Sequence, residues 1–341
     1  MRRALVVWVA AVCCFLVSVP GVCAKDFVYV PVNNALHVID CETDTIIETI
    51  PYNDYIVTAA YSPDGSRYYL NAFHSVYAID TRANELIDTY NFSTELSKTD
   101  VFGIAVSQDG KRLYLSTWIV KKKSNVPKLN VLGPHLAVFD IEKEKIVKAY
   151  PIPSWATCVL TLRNDPDHII LIGLNIQKLN LKTGKLEKLA GMLHPDRDDE
   201  YKNALAVWNN TSPGDNGFFV TPYYTADSLG YFIIDRNTGE LSRLIGEDLF
   251  FEYATIMSPD QKYIYAVMDE LIKIDRQTGK TLKVTPIEMG TCYTLSITSD
   301  GRKIYVGPAG ADMSVYDTET LDLLSVIPLE GDGVLAHRIS H

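Results

Sequence analysis

The chain has 341 residues, of which 47% are hydrophobic and 22% charged, and a formal net charge of −10. That composition is globular and apolar enough for a sizeable core, while the acidic balance argues against nucleic acid as a partner. No Gly-x-Ser-x-Gly elbow, P-loop, Gly-x-Gly-x-x-Gly or His-Glu-x-x-His occurs, so local motifs make no case for catalysis by this chain alone. A site assembled from distant loops would leave no such trace.

The start is basic, Met1-Arg2-Arg3, followed by an apolar run from Ala4 that Pro20-Gly21 breaks before Val22-Cys23-Ala24. This pattern predicts a secretory signal peptide over residues 1–24, with cleavage after Ala24 and export to the periplasm. The apolar run is shorter than the roughly 20 residues that span a bilayer, and Val22 is a poor residue to precede a lipidated Cys23. Cleavage removes Arg2 and Arg3, which leaves the mature chain more acidic still.

From residue 25 onward one pattern repeats. Short alternating or β-branched runs are separated by turns of two kinds. The first reads Ser62-Pro-Asp-Gly65, Ser107-Gln-Asp-Gly110, Asn164-Asp-Pro-Asp167, Ser258-Pro-Asp-Gln261 and Ser299-Asp-Gly301. The second is Asp-x-x-Thr or a variant, beginning at Asp40, Asp80, Asp140, Asn180, Asp235, Asp275 and Asp317. In both, an Asp or Asn side chain can take up backbone amides of its own turn. The spacing is about 40 residues, with longer intervals ahead of Asp140 and Asp235, and each unit carries four strands. One such sheet cannot bury both faces alone, so the copies must stack. The expected fold is all-β: a seven-bladed β-propeller of four-stranded antiparallel blades filling residues 25–341 as one domain. The first unit begins at Phe27-Val-Tyr-Val30 without a first strand, and the final segment Gly333-Val-Leu-Ala-His-Arg-Ile-Ser340 matches the missing one. The C-terminal strand is therefore expected to complete blade one, leaving no long edge open.

After signal cleavage three cysteines remain, Cys41, Cys158 and Cys292. An odd count permits at most one internal disulfide. Cys158 and Cys292 occupy equivalent first-strand positions on different blades, so buried structural thiols are the expectation. No Cys-x-x-Cys-His is present, so this chain attaches no c-type haem, and no catalytic or metal residue is assigned. The seven histidines form no close ligand pair.

Extra length gathers in the second-to-third-strand and blade-to-blade connections, which share one face of a meander, and insertions on one face often mark a binding side. The longest, residues 117–135, carries Lys121, Lys122, Lys123 and Lys128. Residues 191–203 hold an acidic cluster that could chelate calcium but lacks the spacing of an EF-hand loop. Trp155, Trp208, Tyr223, Tyr224 and Tyr253 fall in or beside these connections. Aromatic residues with local charge suit a protein-docking surface. Tyr223 and Tyr224 have the alternative of packing between blades, and the lysine run that of a solvated loop. Asn91-Phe-Ser93 and Asn210-Thr-Ser212 match a glycosylation acceptor that matters only in a eukaryotic secretory pathway.

At blade five the phrases Ala204-Leu-Ala-Val-Trp-Asn209 and Thr221-Pro-Tyr-Tyr-Thr-Ala226, with Asp312-Met-Ser-Val-Tyr-Asp-Thr-Glu-Thr-Leu321 in the last blade, resemble the β subunit of quinohemoprotein amine dehydrogenase. The resemblance runs over essentially the whole mature chain. It implies a periplasmic αβγ assembly that oxidises primary amines to aldehydes and ammonia. The implied partners are an α subunit that is a dihaem cytochrome c, carrying two c-type haems, and a small γ subunit carrying cysteine tryptophylquinone. The β propeller bears no cofactor. It would supply a platform and part of the wall that keeps water from the quinone. Trp155, Trp208, Tyr223, Tyr224 and Tyr253 are the candidates for that wall or interface, from loop position and residue type. Alternatives are a free-standing exported binding propeller and the large subunit of a methylamine dehydrogenase-like complex. A lactonase-type propeller would need a metal or acid cluster at the channel, where the first strands offer mainly Ala, Thr, Ser, Val and Ile.

Overall fold

The fold is that of a computed structural model, which describes residues 24–123, 126–154, 156–198, 200, 216–225, 227–288, 290–308, 310–333 and 335–341. Residues 1–23 of the proposed signal segment and the blade-five phrase at 204–209 lie outside the described residues. Blade one opens with β1 (Asp26–Val32), β2 (Ala35–Asp40) and β3 (Thr45–Pro51). Blade two is β4 (Thr58–Tyr61), β5 (Arg67–Asn71), β6 (Ser75–Asp80) and β7 (Glu85–Asn91). Blade three is β8 (Ser97–Val106), β9 (Arg112–Lys122), β10 (Leu129–Asp140) and β11 (Lys145–Pro151). Blade four is β12 (Ala156–Thr161), β13 (His168–Gly173), β14 (Asn175–Asn180) and β15 (Leu186–Gly191). In blade five the described strands are β16 (Phe218–Tyr224), β17 (Leu229–Asp235) and β18 (Leu241–Ile245). Blade six is β19 (Ala254–Met257), β20 (Tyr263–Val267), β21 (Glu270–Asp275) and β22 (Thr281–Pro286). Blade seven is β23 (Cys292–Ile297), β24 (Lys303–Pro308), β25 (Asp312–Asp317) and β26 (Leu323–Pro328). Finally β27 (His337–Ser340) pairs antiparallel with β1, Phe27 opposite Ile339 and Tyr29 opposite His337. Every sheet is an antiparallel meander, and the C-terminal strand closes the ring as its sequence indicated.

A hydrophobic cluster lies between each pair of neighbouring blades. Tyr29, Leu36, Tyr68 and Leu70 pack between blades one and two, and Val28, Val30, Met313 and Val315 between seven and one. Each sheet thus buries both faces, as sheets packed on sheets must. The tyrosines that recur on second strands have a further task. Tyr29 Oη donates to the Thr81 carbonyl at 2.9 Å, Tyr265 Oη to the Thr318 carbonyl at 3.0 Å, and Tyr305 Oη to Asp44 Oδ1 at 2.5 Å. In each case the apolar body fills the interblade core while the hydroxyl ties down the outer turn of the next blade.

Both turn motifs are built as the side chains dictate. Ser62 Oγ donates to Asp64 Oδ1 (2.6 Å) and accepts from Arg67 N (2.9 Å), and Ser107 and Ser258 make the same bonds to Asp109 and Asp260. The Ser62 hydroxyl leads in holding the Asp64 carboxyl down to about 2, with burial opposing and Ser66 assisting. In the second motif Asp317 Oδ1 accepts from the amides of Glu319 (2.9 Å) and Thr320 (2.7 Å), and Asp80, Asn180 and Asp275 do likewise. The fifth residue of this turn has positive φ in every blade: Asp44, Asn84, Glu144, Gly184, Gly239, Gly279 and Leu321. The loop has four residues, as between paired Asp40 and Thr45 and between paired Asp140 and Lys145, and its last residue takes this conformation. Glycine adopts it freely, but a side chain at positive φ costs about 1–2 kcal/mol. Glu144, exposed with φ 48°, meets that cost without compensation, whereas Leu321, with φ 52°, buries its side chain fully against the blade six–seven core. Glu144→Gly is therefore expected to stabilise the protein by about 1 kcal/mol and Leu321→Gly to destabilise it by about 1–2 kcal/mol. Urea unfolding midpoints that moved in the same direction for both would refute this account.

Candidate functional site

The Ser-x-Asp-Gly and Asp-x-x-Thr turns occupy one face of the ring. The second-to-third-strand and blade-to-blade connections occupy the other, and the two faces differ in chemistry. Among the described residues, large hydrophobic side chains that are exposed fall into two groups. One group lies on outer strands, such as Ile47, Ile87, Val147 and Leu323. The other lies on the connection face: Tyr55, Phe73, Leu96, Val126, Leu129, Val131, Leu249 and Phe251. None lies on the turn face.

Blade three dominates this surface. Residues 117–135, expected as a long loop, mostly form strand instead. The β9–β10 hairpin continues from Ser116 opposite Leu136 out to Lys122 opposite Leu129, with a bulge between Leu132 and His135, and β8 pairs along it back to Ser97 opposite Lys121. Alternation explains why it holds: β-branched Thr117, Ile119, Val120 and Val131 favour extended backbone. Its tip exposes Leu129 (65%), Val131 and Leu96 beside Lys121, Lys122, Lys123 and Lys128. At its root Phe73, Phe102 and Trp118 stack edge to face, with centroids 6.2 and 6.5 Å apart, and His74 Nδ1 lies 3.2 Å from Asp100. Sequence reasoning missed this cluster because its members come from two blades with no common motif.

The sequence-derived candidates are placed as follows. Trp155 and Trp208 lie outside the described residues. Tyr223 is buried (2% exposed) between blades four and five, its ring against Phe232 at 4.3 Å. It crosses Gly230 on the neighbouring strand, where a Cβ would fall 2.5 and 2.7 Å from ring carbons Cε1 and Cε2. The glycine leaves space for the aromatic ring, and β16 alternation, with Phe219 on the same side, is the signal that indicates it. Tyr224, of opposite parity, is half-buried. Its ring faces Phe251 at 6.1 Å, and its hydroxyl accepts from the Glu252 amide at 3.2 Å. Tyr253 is half-buried and stacks on Tyr293, centroids 5.1 Å apart and planes 21° apart. The structure brings Tyr224 and Tyr253 together on the connection face around residues 250–253, whereas Tyr223 lies on the other side of the blade-five sheet, against blade four.

Glu252, between those tyrosines in sequence, is fully buried and accepts from Tyr231 Oη at 2.8 Å through Oε1. Its Oε2 has no hydrogen-bond partner among the described residues. Burial pushes its carboxyl up to about 8, with the Tyr231 hydroxyl opposing. Two acids of the connection at 191–200 are paired with bases of neighbouring strands: Asp196 lies 2.5 Å from Lys188 and Glu200 3.2 Å from Arg243. These ion pairs take two of the carboxylates that a calcium ion would need. Among the described residues no group of three His, Cys, Asp or Glu side chains converges to hold a metal ion. Cys41, Cys158 and Cys292 are free and buried, and burial pushes each thiol up to about 12. They are inert structural thiols.

No protein-family model matches the chain, and no curated protein matches it either. Among solved structures it is similar to Kuenenia stuttgartiensis hydrazine synthase, with a TM-score of 0.54 and 15% identity over 88% of this chain and 90% of that one. It is also similar to a functionally unknown protein from Desulfotomaculum acetoxidans, with a TM-score of 0.62 and 11% identity over 92% and 98% of the two chains. At these identities the likeness shows the fold, and a propeller carries many unrelated functions.

Proposed function

We propose that this chain is the cofactor-free propeller subunit of a periplasmic quinohemoprotein amine dehydrogenase, serving as platform and part of the active-site wall for a small quinone-bearing subunit. The observation that carries a docking role is the segregation of exposed apolar side chains onto the connection face, away from the turn face. Patches of this kind mark interaction sites. The likeness to hydrazine synthase lends the weaker support that a similar fold occurs in that enzyme. The amine dehydrogenase identity itself rests on the sequence phrases of blades five and seven.

The residues of this chain do not fit a haem or a quinone. Cys41, Cys158 and Cys292 are buried and unpaired by any Cys-x-x-Cys spacing. In this reading both cofactors would belong to the partner chains and would supply the redox chemistry there. This chain's part is to bind and to exclude water. Leu129, Val131 and Phe251 supply apolar contact, the blade-three lysines favour a partner with acidic character, and Tyr224 and Tyr253 pack around the connector that presents Phe251.

Mild affinity purification from the periplasm is expected to recover additional chains and a c-type haem spectrum that a primary amine reduces. The double variant Leu129→Asp/Val131→Asp, outside the core, should fold normally yet lose partner retention by about tenfold or more, since each apolar anchor contributes about 1–2 kcal/mol. A single colourless chain would favour the free-standing propeller. Haem-bearing partners retained equally by the variant would move the docking site off blade three.

A further inference from the structure

Beyond the bulges at Val101/Gly103 and Leu132/His135, blade three continues as three paired segments: β8 from Ser97, β9 out to Lys122 and β10 from Leu129. Successive residues of an antiparallel strand turn their N–H and C=O groups to alternate sides, so one bond fixes the rest. Lys122 N donates to the Leu96 carbonyl (2.8 Å) on the β8 side. By alternation Lys121 turns its groups to Asn130, its partner on β10, and Leu129 and Val131 turn theirs to the outer edge. On β8 the same alternation sends Ser97, Thr99 and Val101 outward.

The two edges are finished differently. On the β8 side the chain caps itself. Ser97 exchanges backbone bonds with Thr94 (2.7 and 3.2 Å), and Thr99 N donates to Ser93 Oγ (3.1 Å). The Thr99 carbonyl lies 3.2 Å from His74 Nδ1, and Val101 N donates to the Phe73 carbonyl (2.7 Å). On the β10 side, β11 ends at Pro151 opposite His135, followed by one bond from Ile152 N to the Pro134 carbonyl (3.1 Å). Beyond it, among the described residues, no strand pairs with the outward groups of Leu129 and Val131. Their side chains are exposed too, Leu129 at 65% and Val131 at 54%, on one face with their cross-strand partners Lys122 and Val120. An edge left open beside one that is capped, with apolar side chains upon it, is a template for another strand.

We infer that the Leu129–Leu132 edge of blade three is a strand-addition site for an extended segment of a partner protein, apolar and acidic side chains alternating along it. The site lies within the docking surface proposed above and rests on that reading for its location, though not on the identity of the enzyme. Charge decides the occupant. Lys121, Lys122, Lys123 and Lys128 are exposed and make no ion pair among the described residues. Of the acids in β8 and the loop before it, Asp100 is engaged by His74 (3.2 Å) and Lys98 (3.6 Å), which leaves Glu95. A second copy added edge to edge would set these lysines against their own counterparts, and like charges across a strand pair are unfavourable. Lysines at an edge thus oppose self-pairing and select an acidic partner. Main-chain bonds to Leu129 and Val131 give such a segment affinity. Its apolar side chains meet Leu129 and Val131, and its acidic ones fall on the opposite face, where Lys121 lies across from Asn130.

The test compares the isolated mature chain with the assembly purified from the periplasm, by hydrogen exchange at single amides and by carbodiimide cross-linking. The Leu129 and Val131 amides are expected to exchange freely in the isolated chain and at least about tenfold more slowly in the assembly. Carbodiimide should join the blade-three lysines to Asp or Glu of the partner. Val131→Pro removes an outward N–H and leaves the ladder to β9 intact, a place where sheet edges accept proline. It should melt within about 3 °C of the unaltered chain yet weaken partner retention by about tenfold or more. Val131→Ile, which keeps both donor and apolar side chain, should retain the partner. The exchange comparison on the unaltered chain keeps the test decisive if the proline variant fails to fold. Loss of retention in Leu129→Asp/Val131→Asp but not in Val131→Pro, with both amides still fast, would leave the docking surface standing and overturn strand addition. Retention by the double variant would overturn both. Protection that grows with concentration of the isolated chain would assign the edge to a second copy. Protection by phosphatidylglycerol vesicles instead of the assembly would assign it to a membrane, and a chain recovered alone would leave it without an occupant; each of these overturns the assignment.

Discussion

Removing residues 337–341 is expected to abolish the stable ring, lowering the melting temperature by more than about 10 °C or preventing folding outright. The strand lost is short, but its side chains are among the most buried in the chain: His337 and Ile339 are each 2% exposed. Ile339 packs with Tyr29 and Leu335 in the core between blades one and two, and Tyr68 Oη bonds His337 Nδ1 at 2.8 Å. The strand also keeps Asp26 in place. Burial raises the carboxyl of Asp26, yet the Ser340 hydroxyl (2.6 Å), the Ser299 amide (2.6 Å) and Arg338 (3.2 Å) outweigh this and hold it below its ordinary value.

Truncation removes the Ser340 and Arg338 contacts and exposes the β1 edge. Burial of one isoleucine contributes about 2–3 kcal/mol and each lost backbone hydrogen bond about 1 kcal/mol. The total is comparable with the whole stability of an ordinary domain. Thermal unfolding by circular dichroism, with size exclusion to detect pairing through the open edge, checks this. A monomeric truncated protein melting within about 3 °C of the full chain would show that ring closure contributes little.

What the sequence made legible was whatever repeats. The Asp-x-x-Thr turns could be read because each is solved by its own side chain: Asp317 bonds Glu319 and Thr320 without help from elsewhere. Ring closure was legible for the same reason, since residues 335–340 match the first strands of other repeats. The positive φ of Glu144 and Leu321 was less so, because neither residue type advertises a left-handed backbone. It becomes readable once Gly184, Gly239 and Gly279 are aligned at the same place.

The candidate site was legible only by location. Sequence reasoning put aromatics on the connection face, but which of them turn inward depends on strand parity and on a partner residue across the hairpin. Tyr223 goes inward because Gly230 leaves space for its ring, and adjacent Tyr224 goes to the other side. The turns at Arg163 and Arg236, on different blades and 73 positions apart in sequence, are joined by backbone hydrogen bonds, and no local pattern records such a meeting. The continuation of blade three as a hairpin was obscured by Gly133-Pro134 and the lysine run, which read as loop.

Glu252 has the second large effect, and it concerns pH. Its carboxyl ordinarily titrates near 4.5 and stands at about 8 in the folded protein, because full burial penalises its charged form more than Tyr231 stabilises it. Below 4.5 the side chain is protonated whether the chain is folded or unfolded, and it contributes no pH dependence. Between 4.5 and 8 the unfolded chain releases the proton while the folded chain keeps it, so stability falls as pH rises. Above about 8 both states are ionised and the deficit is complete. The shift corresponds to a loss on the order of 3–5 kcal/mol across that window.

Glu252→Gln removes the ionisation while retaining an acceptor for Tyr231, and its amide NH₂ sits where the neutral acid also lacks a partner. The variant is expected to melt within about 2 °C of the unaltered protein at pH 5 and roughly 5–10 °C above it at pH 9. Because Tyr224 and Phe251 frame the same connector, ionisation of Glu252 at alkaline pH would also loosen the connection face that carries the exposed Phe251. Melting curves for the two proteins that stay parallel from pH 5 to 9 would show that Glu252 ionises equally in both states. They would leave its burial without consequence for the fold or for the docking face.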